Sequence, residues 1–309
     1  MIYDLLIVGG GPAGAAAGVY AARKRIKTVL VVEEFGGQSI VSSDVQNFVG
    51  IVTLPGHEMA TRFREHLEAY ADDVLDIQEG DRVIKLEGSD GAFRAQTKNG
   101  KTLEARTVLV TSGSSRRKLS VEGAERLDNK GISYCASCDA PLFGGKDVIV
   151  VGGGNAGFES AQQLLDYATS VTLFERGDSF RADPVTIEKV LKHEKMKALK
   201  NVELKEIKGD KFVESVVYTD KEGKEEELKV GGVFVEIGSI PNTDFVKDLV
   251  ETNKIGEIVV DHKTQRSSRD GIWAAGDVSD VLYKQNNISM GDGVKALEDI
   301  YLYLQKHHK

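Results

Sequence analysis

Residues 4–14 read Asp-Leu-Leu-Ile-Val-Gly-Gly-Gly-Pro-Ala-Gly, a short apolar run that ends in a glycine-rich loop. The run is typical of a strand buried on both faces, and the loop fits the pattern G-x-G-x-x-G. Ala15–Lys24 then predicts a helix, and Thr28–Val32 predicts a strand that ends at Glu33, 24 positions after Gly9. Small residues let the backbone approach a pyrophosphate at a helix N-terminus, while the acidic residue accepts hydrogen bonds from ribose hydroxyls. The stretch therefore predicts a dinucleotide-binding βαβ unit.

The same order of parts returns in the middle of the chain. Asp147–Val151 predicts a strand, Gly152–Gly157 repeats the glycine pattern, and Phe158–Tyr167 predicts a helix. The next strand ends at Glu175, 23 positions after the first glycine of this loop. Two copies of one architecture predict an α/β fold with two Rossmann-like dinucleotide-binding domains. Near the C-terminus, Ala296–Gln305 predicts a further helix.

The composition is typical of a globular protein. A length of 309 residues fits about two domains of roughly 150 residues each. The net charge of −8 argues against nucleic acid and anionic membranes as partners. Two cysteines provide no disulfide framework, and the N-terminus has no basic region, so we expect a cytoplasmic protein without a signal peptide. The uncharged run Leu5–Ala22 is broken by Pro12 and several glycines, so we expect no membrane span there.

Cys135 and Cys138 are the only two cysteines, and they stand in C-x-x-C spacing between the two glycine loops. Such a pair can be half of a zinc site, a buried pair of small residues, or a redox dithiol. Zinc usually takes four ligands, and no further cysteine is present to complete a set, so we expect no metal. Two nucleotide signatures favour the redox dithiol. Asp139 follows directly and can supply the proton that disulfide reduction requires, although a carboxylate at this place can also cap a short helix.

Taken in this order, the motifs resemble the low-molecular-weight thioredoxin reductases over essentially the whole chain. The matching pieces are the first glycine loop with Glu33, Gly36-Gly37-Gln38, Cys135–Asp139, the second glycine loop, Gly276-Asp277, Tyr283-Lys284-Gln285 and Gly291-Asp292-Gly293. The resemblance implies a discontinuous FAD-binding domain, residues 1–115 and 241–309. An NAD(P)H-binding domain, residues 116–240, is then inserted into it and carries the cysteines.

The resemblance also implies which residues surround each cofactor. Those expected around FAD are Gly9, Gly11, Pro12, Ala13, Gly14, Glu33, Glu34, Gly37, Gln38, Asn47, Thr111, Gly113, Gly276, Asp277, Lys284 and Gln285. Those expected around the nicotinamide coenzyme are Gly152, Gly154, Asn155, Ala156, Glu175, Arg176 and Arg181.

The reaction implied by the resemblance is the reduction of a thioredoxin-like protein disulfide. Electrons pass from the nicotinamide through FAD to the Cys135–Cys138 disulfide and then to the partner. In the resembled family Cys138 lies next to the flavin and Cys135 attacks the partner. That family's inserted domain rotates between two states, and its members are homodimers, so we expect both properties here.

The chain departs from the family pattern after the second strand of the inserted domain. The family's NADPH users carry His-Arg-Arg-x-x-x-Arg there, whereas residues 175–181 of this chain read Glu-Arg-Gly-Asp-Ser-Phe-Arg. A 2′-phosphate would meet the Glu175 carboxylate, so we expect NADH to be preferred. NADPH remains possible because Arg176 and Arg181 can pair with the phosphate. In the alternative interpretation, Glu175 pairs with one of these arginines on the surface and does not discriminate between NADH and NADPH. A second departure, Asp139-Ala140 in place of Asp-Gly, affects only a turn.

Three other functions stay open. A ferredoxin-fed or reduced-flavin-fed thioredoxin reductase would be expected to lack the nucleotide loop that Gly152–Gly157 retains. A peroxiredoxin-system reductase usually carries an extra N-terminal thioredoxin-like domain, for which we expect no residues here. A non-catalytic FAD-binding redox sensor would use Cys135 and Cys138 as a switch. Turnover with a nicotinamide and a model disulfide distinguishes that sensor from an enzyme.

Overall fold

The computed structural model describes residues 2–42, 45 and 47–307. The chain divides into two compact units, Met1–Ser115 with Ile240–Lys309, and Arg116–Ser239. Ile240, expected in the inserted unit, belongs to the first one, because the strand Ser239–Pro241 already leads back into it. Within the described residues, no helix combines the length and the hydropathy needed to cross a bilayer.

Within the residues that the structure describes, the first unit contains seven strands and three helices, not counting the two strands that connect it to the second unit. In chain-order numbering they are β1 (Ile2–Val8), α1 (Pro12–Arg23), β2 (Thr28–Val32), α2 (Gly56–Ala71), β3 (Leu75–Glu79), β4 (Val83–Ser89), β5 (Ala92–Thr97), β6 (Thr102–Val110), β17 (Ile272–Ala274) and α6 (Asn286–His307), with a 3₁₀ turn at Gly37–Val41.

Eight strands and three helices build the second unit. They are β8 (Ile132–Ser133), α3 (Ala136–Asp139), β9 (Asp147–Val151), α4 (Asn155–Leu164), β10 (Ser170–Glu175), α5 (Pro184–Leu191), β11 (Met196–Lys200), β12 (Glu203–Lys208), β13 (Ser215–Thr219), β14 (Glu225–Lys229) and β15 (Gly232–Val235), with a 3₁₀ turn at Ala140–Phe143. The two points where the chain passes between the units lie in β7 (Ser114–Arg116) and β16 (Ser239–Pro241).

The sheet of the first unit has the order β3-β2-β1-β6-β5-β4, with β17 beside β6. The pairs β1–β2, β2–β3, β1–β6 and β6–β17 are parallel, while β4, β5 and β6 pair antiparallel. Ile7 lies opposite Leu30 on one side and Leu109 on the other, and all three are fully buried. Apolar clusters cover both faces of the sheet, which explains why its central strands are uniformly hydrophobic.

The main sheet of the second unit is entirely parallel, in the order β11-β10-β9-β15-β8. After β9 the chain moves outward through β10 and β11 and later returns to β15 on the opposite side of β9. The strand order therefore reverses between β9 and β15, the place where ligands bind in open α/β sheets. The charged residues 221–229 form the turn and the second strand of the antiparallel hairpin β13–β14.

The last helix is longer than its sequence pattern predicts. Helix α6 begins at Asn286, ten residues before the predicted start at Ala296. Gly291 and Gly293 lower the intrinsic helix propensity of this first part. Packing provides a reason for Gly293, because a Cβ atom there would lie 2.2 Å from the carbonyl oxygen of Ala13 in α1. The close contact between α1 and α6 thus requires a residue without a side chain.

Candidate active site

The two cysteines lie at the start of a single helical turn. Strand β8 ends at Ser133, and Cys135 occupies the position before α3. The backbone amides of Cys138 and Asp139 donate to the Cys135 carbonyl oxygen at 3.2 and 3.0 Å. This turn brings the two Cα atoms to 5.3 Å, and the side chains form a disulfide. Both cysteines are only partly buried.

Asp139 is linked to the same turn through Ser133. The Ser133 hydroxyl donates to the Asp139 carboxylate at 2.6 Å, and the Cys135 amide donates to the Ser133 hydroxyl oxygen at 3.2 Å. Burial raises the pKa of Asp139, and the Ser133 hydrogen bond and the charge of Arg116 oppose this shift. The carboxyl therefore retains a proton at higher pH than an exposed aspartate does, next to the disulfide in the chain.

The capping interpretation of Asp139 finds no hydrogen bond to support it. Asp139 precedes the 3₁₀ turn Ala140–Phe143, but its side chain does not cap that turn. Sequence reasoning missed Ser133 and Arg116 as neighbours of this carboxyl. A lone serine at a strand end carries no motif, so only the fold reveals the contact.

The first glycine loop has the geometry of a phosphate cradle. Gly9 has a φ of +114°, and a Cβ atom there would lie 2.4 Å from the Thr111 carbonyl oxygen. A Cβ atom at Gly14 would lie 1.9 Å from the Gly9 carbonyl oxygen. Gly11 precedes α1, no side chain caps this helix, and Pro12 occupies the first turn. The uncapped amides at the start of α1 are therefore available to an anion.

Several other expected FAD residues lie around this loop. Thr111 donates its hydroxyl to the Gly9 carbonyl oxygen at 3.0 Å. A Cβ atom at Gly37 would lie 3.4 Å from the Cα atom of Gly11, and one at Gly276 would lie 3.2 Å from the Cβ atom of Ala13. The segments that carry these residues come from both ends of the chain. The first unit thus fits a dinucleotide such as FAD, because glycines leave its cradle open at the N-terminus of α1.

Three more of the expected FAD residues contact other side chains of the first unit. Glu33, at the end of β2, faces Arg82 at 3.8 Å and Lys98 at 3.5 Å, and the Glu33 side chain is half exposed. Asn47 donates to the Gln285 side chain at 3.1 Å. This last contact joins the segment before α2 to the segment before α6.

The remaining residues expected around FAD have the following contacts and conformations. Gln38 donates to the hydroxyl oxygen of Ser114 at 3.1 Å, Asp277 accepts from Ser289 at 3.4 Å, Lys284 donates to the Ser279 carbonyl oxygen at 2.6 Å and pairs with Glu257 at 2.9 Å, Gly113 has a φ of +64°, and Glu34 is exposed. The contacts of Lys284 hold the chain before α6, which sequence reasoning did not foresee.

The second glycine loop repeats the geometry of the first. Gly152 has a φ of +125°, and a Cβ atom at Gly157 would lie 1.8 Å from the Gly152 carbonyl oxygen. Gly154 precedes α4 without a side-chain cap, and a Cβ atom there would meet nothing within 4 Å. Asn155 accepts a hydrogen bond from the Asp183 amide at 2.8 Å, and Ala156 is exposed beside it. This open helix N-terminus also fits the pyrophosphate of a dinucleotide.

Glu175 organises the loop that follows β10. Its carboxylate accepts hydrogen bonds from the Gly153 amide at 2.9 Å and the Gly177 amide at 2.7 Å, and the residue is only 5% exposed. Among the described residues, neither Arg176 nor Arg181 forms an ion pair with it; both arginines are exposed. The alternative in which Glu175 is neutralised by a surface arginine therefore has no geometric support.

Comparisons with known proteins agree with this geometry. A family model described as pyridine nucleotide-disulphide oxidoreductase matches residues 3–293. A relative named NADH dehydrogenase, from Bacillus subtilis, is 41% identical over 98% of this chain and 58% of its own length. Another relative, named as a subunit of alkyl hydroperoxide reductase in Xanthomonas campestris pv. phaseoli, is 40% identical over 95% of this chain and 56% of its own length. The chain thus spans less than two thirds of these relatives.

A solved structure matches over its full length. The thioredoxin reductase from Streptococcus pyogenes is 34% identical, with a TM-score of 0.89, and the match covers 99% of both chains. The resemblance and the fold class predicted from the sequence are confirmed by this likeness.

Proposed function

Because this chain belongs to the pyridine nucleotide-disulphide oxidoreductase family, we propose that it is an NADH-dependent disulfide reductase with a thioredoxin-like protein as its substrate. The family uses FAD and NAD(P)H. The observation that carries the proposal is the partly buried Cys135–Cys138 disulfide, followed in the chain by a partly buried Asp139 whose pKa is raised, between two glycine cradles. The overall reaction is NADH plus a proton plus partner disulfide, giving NAD⁺ plus partner dithiol.

The two cradles have separate tasks in this proposal. The first unit holds FAD at the loop before α1, and the second holds the nicotinamide coenzyme at the loop before α4. When bound, FAD accepts a hydride equivalent from reduced nicotinamide and delivers two electrons to a disulfide. The residues of the chain bind and orient both groups and handle the protons.

The cysteines exchange with the partner by two displacements. The Cys135 thiolate attacks one sulfur of the partner disulfide, so that a mixed disulfide forms and the first partner thiolate leaves. The Cys138 thiolate then attacks the Cys135 sulfur, which releases the second partner thiolate and restores the Cys135–Cys138 disulfide. Asp139 follows Cys138 in the chain, and burial raises the pKa of its carboxyl, so in this proposal it is the acid that delivers a proton to a leaving thiolate.

NADH is the favoured coenzyme because of Glu175. The carboxylate lies at the end of β10, where the adenosine ribose is recognised in NAD-type sites. Two backbone amides fix it in position, so a 2′-phosphate would have to approach a stationary negative charge. The similarity to a relative named NADH dehydrogenase supports a preference for NADH.

A second acceptor is favoured by the sequence comparisons. Several relatives are named for alkyl hydroperoxide reductase, at 38% to 40% identity, compared with 34% for the solved thioredoxin reductase. The same dithiol chemistry would then reduce a disulfide of a hydroperoxide-reducing protein. The two candidates share every step up to the identity of the partner.

The test is an anaerobic titration of the purified flavoprotein with NADH and with NADPH, followed by candidate protein disulfides. We expect NADH to bleach the flavin absorbance and a thioredoxin-like disulfide to restore it. Restoration only by a hydroperoxide-reducing partner would select the second acceptor. If neither coenzyme reduces the flavin, the proposal is contradicted, and ferredoxin or reduced flavin becomes the expected electron donor. A protein that is reduced but transfers electrons to no disulfide would fit a redox sensor.

A further inference from the structure

Glu236 lies at the point where the strand order of the second unit reverses. It follows the end of β15, and its amide donates to the Val151 carbonyl oxygen of β9 at 2.8 Å. A Cβ atom at Gly152 would lie 2.3 Å from the Glu236 carbonyl oxygen. Glu236 is therefore a direct neighbour of the second glycine loop, and it lies across the crevice from β10.

The position of Glu236 is opposite to that of Glu175. Strand β9 has β10 on one side and β15 on the other, and the two carboxylates follow the ends of these flanking strands. Dinucleotides lie across such a crevice, with the pyrophosphate at the glycine loop. If the adenosine half is at Glu175, as the proposed function requires, the nicotinamide half extends towards Glu236.

The environment of Glu236 is that of a prepared binding group. The Ser160 hydroxyl, on the buried face of α4, donates to one Glu236 carboxylate oxygen at 2.6 Å. The residue is partly buried, and burial raises the pKa of its carboxyl, against the opposing effects of Ser160 and Arg116. A desolvated carboxyl gains from any further hydrogen-bond donor that reaches it.

We propose that Glu236 binds the nicotinamide end of the coenzyme by accepting a hydrogen bond from the amino group of its carboxamide. A carboxamide amino group offers two donors, and a carboxyl oxygen offers matching acceptor sites. Ser160 positions the carboxyl for this contact. The inference rests on the proposed function but concerns the end of the coenzyme that Glu175 does not touch.

The experiment compares two ligands that differ only at this end. Binding of NAD⁺ and of ADP-ribose to the oxidised holoprotein is measured by calorimetry, so that no electron transfer intervenes. For Glu236→Ala we expect the Kd of NAD⁺ to rise roughly 10-fold, the value of one lost hydrogen bond, while that of ADP-ribose stays within about twofold. Glu236→Gln keeps an acceptor oxygen and should change the NAD⁺ Kd by less than about threefold.

Glu188→Gln is the matched control, because Glu188 is an exposed carboxylate on α5 of the same unit and pairs with Lys192 just after that helix. Equal weakening of both ligands by Glu236→Ala would overturn the inference, since Glu236 would then only support the loop. No change for either ligand would also overturn it.

If Glu236→Ala does not fold, Ser160→Ala is the deciding variant: a selective rise in the NAD⁺ Kd supports the inference, and any other result rejects it. Failure of the parent protein to bind NAD⁺ or NADP⁺ would overturn the proposed function as well.

Discussion

Asp139 and Glu175 are both carboxylates of the second unit, but their hydrogen-bond donors are of different kinds. Asp139 accepts from a side-chain hydroxyl, and burial raises its pKa. Glu175 accepts from two backbone amides that belong to the loops on either side of it. At the residue scale, the first arrangement suits a group that exchanges a proton, and the second suits a group that holds a loop and a charge in place.

Asp139→Asn is expected to slow disulfide reduction by about 10²-fold, the usual contribution of a general acid. In the parent protein the rate should fall as the pH rises through the raised pKa of Asp139, because the acid is then lost. The variant should lack this decline. Rates are measured by stopped-flow reduction of the partner disulfide over a pH series that begins at the ordinary pKa of an aspartate and extends above it.

Stability separates this role from a capping role. The pKa of Asp139 is higher in the folded than in the unfolded protein, so the folded state binds the proton more tightly. Ionisation therefore lowers stability as the pH rises from the unfolded pKa through the folded pKa. Asparagine carries no charge, so the melting temperature of the variant at neutral pH should be equal or higher. An unchanged rate with a lower melting temperature would identify Asp139 as a structural residue.

Glu175→Gln should reduce discrimination between the coenzymes. A like-charge pair about 4 Å apart at an effective dielectric near 20 costs about 4 kcal/mol, an upper figure for this site. We expect the parent protein to prefer NADH by kcat/KM, and the variant to lose roughly tenfold or more of that preference. Glu188→Gln, which removes an exposed carboxylate paired with Lys192, is the control and should change nothing. A parent preference of tenfold or more for NADPH would refute the prediction.

At the element scale, helix α6 approaches the first turn of α1 through a glycine. Gly293 of α6 contacts the backbone of Ala13, and Gly276 lies beside the same alanine with a φ of +76°. Ala13 lies in the first turn of α1, within the glycine motif that we expect to hold the FAD pyrophosphate. The C-terminal helix therefore supports the first cradle, although it is far from that loop in sequence.

Two glycines of α6 provide a matched pair of variants. Gly293→Ala places a Cβ atom 2.2 Å from the Ala13 carbonyl oxygen, so the helices must separate. We expect a destabilisation of about 1–3 kcal/mol and partial loss of FAD on gel filtration. Gly291→Ala meets nothing within 4 Å and should stabilise the helix by up to ~1 kcal/mol. Similar melting temperatures and FAD contents for both variants would refute this account of the packing.

At the scale of the whole molecule, the chain forms two units that each have their own buried cores. The first has apolar clusters on both faces of its sheet, and the second has one cluster under α4 and α5 and another under the β12–β14 sheet. Each unit also has its own glycine cradle. The assignment of FAD to the first unit and NAD(H) to the second stays a prediction, as does the homodimer.

Hydrogen exchange tests which unit binds FAD and which binds NAD(H). Adding NAD⁺ at about 100 times its Kd should stabilise its site by up to ~2.7 kcal/mol, which slows exchange of the amides of Gly152–Asn155 by as much as about 100-fold. Restoring FAD to the apoprotein should protect Gly9–Gly14 in the same way. Protection of the first loop by NAD⁺, without protection of the second, would reverse the assignment of the units.

The local patterns of the sequence were sufficient for the fold class, the two strand–glycine loop–helix units and the disulfide. G-x-G-x-x-G between a strand and a helix, an acidic residue at the next strand end, and C-x-x-C each depend on residues within about 25 positions of one another. Backbone conformation and chain direction over such short ranges are governed by the residues themselves, so the pattern is readable without the fold.

Contacts between distant residues depended on the tertiary structure. Ser160 reaches Glu236 across 76 positions, and Gly293 meets Ala13 from the other end of the chain. The early start of α6 and the buried state of Glu175 belong to the same group. These features depend on tertiary packing, which removes polar groups from water and requires each of them to find a hydrogen-bond partner. The partner is whichever group the fold places nearby, and the local sequence pattern does not identify it.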